Sequence, residues 1–446
     1  MKYVFSILAS LLAIAIHAQP AKFTLDECVQ YAIENSTKLS NQQSRNKIYN
    51  YNYQEAIAAL LPSISASSDV SFNFGRGLDG NTNTYVDINS FGNTYGLYAS
   101  LALFNGFANV NRVRMEKANR LMGKHQLEMD TDMLAYSTME AFFQVQYYKE
   151  VLALLEEQLL ESQQNLKQAK RMVELGIKGE PDFAEIQAKE ASDNYNLTRQ
   201  QNLLKIAIIK LKEEMNFPID ENIDIVMYST PNEGVAKTGL TLDQLYQTAL
   251  LLNPKVHVSQ SKYKAQQLSY KSAIGTLFPS ISVNAGYNTS FSRYMDGSSY
   301  VSFSDQIKNK RGHYIGATLS IPIFSQLSRS SNVRRSKQQM LIAERENEQT
   351  LRSLHNEIEQ AVADMDGQAD EYASTKKQTN AMQLAHDVNR RKYQEGLASA
   401  LDLNMTANRL LSAKVEERNA LLKFYLKQRL VLYYNGEPLY VRKKQN

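Results

Sequence analysis

The amino-acid sequence predicts a mainly α-helical chain with transmembrane β-structure, laid out as two internal repeats. Three observations predict it. A segment from Thr24 to about Phe74 returns without a gap from Thr241 to about Phe291. Thr24-Leu25-Asp26 matches Thr241-Leu242-Asp243, and Leu61-Pro62-Ser63-Ile64-Ser65 matches Phe278-Pro279-Ser280-Ile281-Ser282, each pair 217 positions apart (241 − 24, 279 − 62). A period of half the chain marks duplication of a whole structural unit, not a short-repeat solenoid. Beyond each of the two prolines the residues alternate apolar and polar, the period of a half-buried strand. Finally, two helical stretches of roughly 70 residues each would make rods of about 100 Å, longer than a single globular core needs.

In chain order, Thr24 to Leu60 has a helical pattern. Thr24 or Asp26 can cap it, Glu27 suits its first turn, and Pro62 ends it. The strand that follows places Ile64, Ala66, Val70, Phe72 and Phe74 on one face and Ser65, Ser67, Asp69, Ser71 and Asn73 on the other. Gly75 to Asn93 is rich in Gly, Asn, Asp and Thr and reads as a surface loop. A second strand puts Tyr95, Leu97, Ala99, Leu101 and Leu103 on one side. From about Gly106 to Val173 there is no proline. Heptads run through Leu127, Leu134, Ala141, Tyr148 and Leu155, and through Val145, Leu152, Leu159, Leu166 and Val173, which is coiled-coil spacing. Leu175-Gly176-Ile177-Lys178-Gly179-Glu180-Pro181 breaks the helix, and Pro181 suits the first turn of the next.

The expected first repeat is thus residues 19–217, with a β-hairpin at 63–104, a long helix at 106–175 and a returning helix at 181–216. A linker covers 218–239. The second repeat, 240–435, carries a hairpin at 280–324 with a polar loop from Ser292 to Arg311, a long helix at 328–395 and a returning helix at 399–434. Residues 436–446 form a basic tail.

Composition narrows the class. The mean hydropathy of −0.42 excludes a polytopic helical membrane protein. A net charge of +4, with both signs interspersed, gives no reason to expect nucleic acid as a partner. Cys28 is the single cysteine, so no disulfide can form within the chain, and it reads as a small apolar residue on a helix face. Met1-Lys2, the apolar run Val4 to Ile16 and the small Ala18 read as a signal peptide over residues 1–18. No later stretch reaches the roughly 18 apolar residues of a membrane helix. An exported chain of this kind meets a membrane by strands or by its surface.

Each strand, about 10 residues long, fits a tilted transmembrane strand. An open sheet edge leaves backbone groups unpaired in lipid, so only closed barrels and helices span a bilayer. Four strands cannot close, since about eight is the practical minimum. A barrel would need two or three copies, with apolar faces to lipid and Ser/Asn/Gly faces to a wet lumen. Alternation alone equally fits an ordinary sheet packed on helices; the signal peptide and the long helices favour the barrel.

The mature chain resembles the TolC-family outer membrane efflux proteins in both halves: helix, two strands, long helix, glycine-containing tip, returning helix, then all of it again. Leu101-Ala102-Leu103-Phe104-Asn105-Gly106 and the junction prolines Pro62 and Pro279 are similar to the family's helix–strand junctions. The tips carry the most specific likeness. Leu175-Gly176-Ile177 with Asp182-Phe183 and Glu395-Gly396-Leu397 with Asp402-Leu403 lie 220 apart (396 − 176, 402 − 182). The step from 217 to 220 places a three-residue difference in the strand-loop-strand segments.

The resemblance implies a homotrimer whose four strands per protomer complete a twelve-stranded β-barrel above a coiled-coil helical barrel, in the outer membrane and periplasm respectively. It implies an exit duct for small toxic compounds. The implied partners are outer-membrane lipid, a periplasmic adaptor (membrane-fusion) protein docking on Leu175, Gly176, Ile177, Gly396 and Leu397, and an inner-membrane pump of RND, ABC or MFS type. It implies a periplasmic gate at Asp402, Tyr393 and Asp182, with Tyr393 tethered to Asp182 and Asp402 in an acidic ring whose mutual repulsion raises carboxyl pKa values. Two positions depart from the family pattern: Met405 stands where a second gate acid is expected, and Ala398 where a tethering arginine is expected. Helix N-capping is the alternative role for Asp182 and Asp402.

Catalytic signatures are missing. The six histidines are scattered, with no HExxH or CxxC and no Gly-rich phosphate loop, so neither an enzyme nor a cofactor is expected. The acids Asp364, Asp366 and Asp370 read as a solvated or lumen-facing side. Two other readings stay open: a duct for type I protein secretion and a soluble periplasmic coiled-coil interaction protein.

Overall fold

A computed structural model describes residues 21–78, 83–228, 235–295 and 301–440. The expected signal peptide lies outside these residues. The chain forms two compact units that cut across the sequence repeats: unit 1 holds residues up to 43, 126–256 and 350 onward, and unit 2 holds 44–125 and 257–349.

In unit 1, β1 (Ala21–Phe23) pairs in parallel with β4 (Ile223–Ile225), which lies inside the segment expected as a linker. Helix α1 (Leu25–Asn35) starts at a capping box, Thr24 with Glu27, and its repeat mate α5 (Leu242–Leu252) starts at another, Thr241 with Gln244. The single helix expected from Thr24 to Leu60 is broken. Ser36 ends α1 and its hydroxyl accepts from the Leu39 N–H, so a new helix, α2 (Thr37–Ala58), begins at once. The break recurs at Asn253, before α6 (Pro254–Gly275), where Asn253 Oδ1 accepts from the Lys255 N–H. Both breaks survive because side-chain oxygens satisfy amides that a helix start leaves open.

The long helices are α3 (Ala108–Glu174) and α8 (Ser328–Gln394), 67 residues each; the returning helices are α4 (Glu180–Met215) and α9 (Ala400–Tyr434). The core of unit 1 gathers Cys28, Val29, Phe142, Val145, Leu211, Met215, Leu245, Leu354, Ile358 and Phe424. Burial pushes the Cys28 thiol up to about 12, which suits an inert core residue. The acids expected on a solvated side have internal partners: Asp364 meets Lys427 at 2.8 Å, Asp366 accepts from the Thr238 N–H at 2.9 Å, and Asp370 meets Lys237 at 2.6 Å.

Unit 2 holds one antiparallel sheet in the order β2-β3-β5-β6, formed by β2 (Ser63–Leu78), β3 (Tyr85–Phe104), β5 (Ser280–Tyr294) and β6 (Gly312–Ser320). The first hairpin overturns the loop expected at Gly75–Asn93. Strand pairing continues through Gly75↔Ile88 to Leu78↔Tyr85. In the second hairpin a helix, α7 (Phe303–Asn309), stands where a polar loop was expected. The register puts Ala66, Leu97 and Tyr287 on one face and Ser67, Gly96 and Asn288 on the other. The three-residue difference between repeats falls here: β2 to α3 spans 108 − 63 = 45 positions, and β5 to α8 spans 328 − 280 = 48.

Candidate functional site

Two places in the molecule cannot be explained by packing within one chain: the sheet of unit 2 and the tips of unit 1. Much of both faces of the sheet is exposed. Ile64, Val70, Phe72, Phe74 and Leu97 are exposed on its apolar side, and Ile315 reaches 80% exposure on β6. Its outer strands, β2 and β6, have no further strand beside them among the described residues. An unpaired edge next to an exposed apolar face is a template for another chain. Pro62 and Pro279 sit one residue before β2 and β5, at the helix-to-strand junctions. At the second junction Arg329 donates to the Thr276 carbonyl at 2.5 Å, closing the end of α6 onto the start of α8. Among the described residues no helix is long and apolar enough to cross a membrane.

At the tips, both long helices end in the same way. Gly176 (φ 71°) and Gly396 (φ 78°) adopt the left-handed conformation. The N–H of Gly176 bonds the Val173 carbonyl and that of Ile177 bonds Met172; Gly396 and Leu397 repeat this on Tyr393 and Lys392. These are Schellman caps, which favour glycine because a Cβ is strained at such a φ. Leu175 (64%), Ile177 (59%) and Leu397 (75%) are exposed around them.

The helix starts then differ. Ser399 caps α9 in a full box with Asp402, whose carboxylate accepts from the Ser399 hydroxyl at 2.6 Å and its N–H at 3.3 Å. These bonds from Ser399 hold the Asp402 carboxyl of the single chain below the ordinary range. At the first tip the N-cap is Gly179, with no side-chain cap. Asp182 instead crosses to the second tip and accepts from the Ala400 N–H at 3.2 Å, the first amide of α9. The capping alternative therefore describes both acids, though Asp182 caps the helix of the other repeat.

The expected Tyr393–Asp182 hydrogen bond is not formed. Tyr393 is fully buried in the tip core with Ala169, Ile186, Ala400 and Leu403, and its hydroxyl has no hydrogen-bond partner among the described residues. Burial first, and the Asp182 charge second, push its phenol upward. The group that joins the tips is Lys178, which the sequence reading passed over. Its ammonium donates to the Ala398 carbonyl at 2.8 Å, lies 4.0 Å from Asp182 Oδ2 and stands 5.4 Å from the centre of the Tyr393 ring. A cation thus occupies the tip although Ala398 replaces the expected arginine. Met405 is exposed, and its neighbour Asn404 lies 3.4 Å from Glu185 Oε1. Among the described residues no group of three or more His, Cys, Asp or Glu side chains converges as a metal site requires.

The sequence pattern described as outer membrane efflux protein matches residues 28–216 and again 245–429. The outer membrane efflux protein BepC of Brucella suis biovar 1 (strain 1330) is 22% identical over 392 residues, covering 88% of this chain and 80% of that protein. Among solved structures, the outer membrane protein VceC of Vibrio cholerae superposes with a TM-score of 0.81 at 13% identity, covering 93% of this chain and 96% of that one. The outer membrane channel CmeC of Campylobacter jejuni gives a TM-score of 0.80 at 16% identity, with 92% and 85% covered.

Proposed function

Because the chain belongs to the outer membrane efflux protein family, we propose that three copies pair β6 of one protomer with β2 of the next, closing a twelve-stranded barrel around a lumen lined by the Ser/Asn/Gly face. The protein is an outer membrane efflux channel, the exit duct of a tripartite system, with its helical part in the periplasm. The observation that supports association is the four-stranded sheet itself, exposed over much of both faces and, among the described residues, unpaired at both edges. In hydrocarbon such edges have to be paired. The duct is passive, and energy comes from an inner-membrane pump of RND, ABC or MFS type through a periplasmic adaptor. Leu175, Ile177 and Leu397, with the caps at Gly176 and Gly396, are the adaptor-docking surface. Asp182, Tyr393 and Asp402 form the periplasmic gate, and Lys178 takes the place of the tether. Small toxic compounds are the substrate class. Fractionation tests the reading: heat-resistant trimers in the outer membrane are expected, and a soluble monomer would refute it. A crosslinker at Leu175 or Leu397 is expected to capture a periplasmic adaptor. Capture of the sheet or of lipid alone would remove the docking assignment.

A further inference from the structure

The apolar face of the sheet is covered in one place, by α7. The Phe303 ring lies 6.4 Å from that of Tyr95 and 5.3 Å from that of Phe291, and the Thr289 hydroxyl donates to the Ile307 carbonyl at 2.8 Å. Tyr95 and Thr289 are register partners, as are Leu97 and Tyr287, so α7 sits on the side that meets lipid. It stands beyond the start of β6, at the end of the sheet away from the junction prolines. The nine residues of β6, tilted about 40°, rise roughly 23 Å, the height of a barrel's apolar band. That places α7 level with the headgroups of the outer leaflet.

The charge of α7 is one-sided. Its only acid, Asp305, is engaged at the N-terminal end, where its carboxylate accepts from the Ser302 hydroxyl at 2.6 Å. The other end presents Lys308, Lys310 and then Arg311, none of which makes an ion pair among the described residues. Lys310 also borders a cavity of about 480 Å³ lined by Ser90, Ser292 and Tyr294, residues of the Ser/Asn/Gly face, so this cavity is not part of the lipid-side rim. The helix is fastened from beneath. Gln306, buried, accepts from the Ser292 N–H at 3.0 Å and donates to its carbonyl at 2.9 Å, fastening α7 to the open edge of β5. Lys310 donates to Gln306 at 2.7 Å and Ser292 Oγ at 2.8 Å, which fixes its ammonium at the cavity.

We propose that this rim docks the phosphate groups of outer-leaflet lipids. Phe303 and its aromatic neighbours sit toward the acyl chains, and the exposed Lys308 and Arg311 meet the phosphates, while Lys310 is held by Gln306 and Ser292. Clustered cations at a membrane surface recognise anionic headgroups in this way. The inference rests on the sheet being the membrane-spanning part.

The test uses the full-length protein purified from outer membrane and placed in phosphatidylcholine nanodiscs doped with diphosphorylated lipid A, with retained lipid counted by native mass spectrometry. Lys308→Gln with Arg311→Gln is the first variant, because neither side chain is hydrogen-bonded among the described residues. Retention is expected to fall roughly tenfold, with trimer yield and conductance unchanged. Equal retention by wild type and variant, or equal retention of dephosphorylated lipid A, overturns the proposal. Displacement by millimolar inorganic phosphate would assign the site to free phosphate and overturn the lipid assignment. A wild-type protein missing from the outer membrane would refute the channel reading instead.

Discussion

The two tips are sequence repeats that end alike and begin differently. Gly176 and Gly396 close α3 and α8 with the same pair of backbone bonds. The helices that follow start from Gly179 in one case and from Ser399 in the other. With serine at the N-cap, the aspartate three residues on is held locally in a capping box. With glycine there, the equivalent aspartate is released and reaches 218 positions along the chain to Ala400. One hydroxyl therefore separates an aspartate that caps its own helix from one that caps the helix of the other repeat.

That comparison can be broken or sharpened by substitution. The largest effect is expected from Asp182→Ala, which removes the cap on the first amide of α9 and leaves Lys178 with the Ala398 carbonyl and the Tyr393 ring but no carboxylate, a loss of about 2 kcal/mol. Single-channel conductance and permeability to large antibiotics should rise. Unchanged values would mean that the link between tips does not hold the channel closed. Ser399→Ala deletes the local box at about 1 kcal/mol, and faster amide exchange should be confined to the first turn of α9. Exchange spreading to α4 would contradict a box that acts only on its own helix.

The same box has a pH signature. The folded Asp402 carboxyl lies below its ordinary value, so its stabilisation is complete above about pH 4. It is lost as the pH falls through the lower folded value. Protection of that first turn should hold from neutral pH to about pH 4 and drop below it; a drop near pH 6 would point to another group. A smaller effect, a few tenths of a kcal/mol, is expected from Gly179→Ser. It should build at the first tip the box already present at the second, draw Asp182 back to its own helix and raise conductance slightly while α4 gains protection. Tyr393→Phe should change least. A buried hydroxyl without a partner is removed, and stability should stay level or improve by up to about 1 kcal/mol. A clear rise in conductance from this change alone would restore the hydroxyl as a tether.

Much of the architecture was legible because the repeat is long and the patterns are periodic. The capping residues Thr24 and Thr241, both junction prolines, both tip glycines and the three-residue offset were all visible in the chain. The outer part of the first hairpin was not. Gly75 to Asn93 is Gly- and Asn-rich, and a strand with solvent beside it has no need for the apolar alternation that signals one. The helix break at Ser36 was hidden by a continuous helical pattern, although Asn253-Pro254 at the equivalent place in the second repeat was an available signal. Lys178 carried no periodic or motif signal. Its role follows from two tips meeting in space, and only Ala398, an absence in the family pattern, hinted that another cation was required.

The edges of the sheet also bear on how the channel comes to exist. A lone protomer entering lipid would carry unpaired backbone groups along β2 and β6, each costing several kcal/mol. Entry and association are therefore one event, with no comfortable intermediate in the bilayer. The rate of channel formation should rise more steeply than linearly with the supply of protomers, and a cell making too few copies would be left with export-competent chains waiting in the periplasm, not with partly built pores.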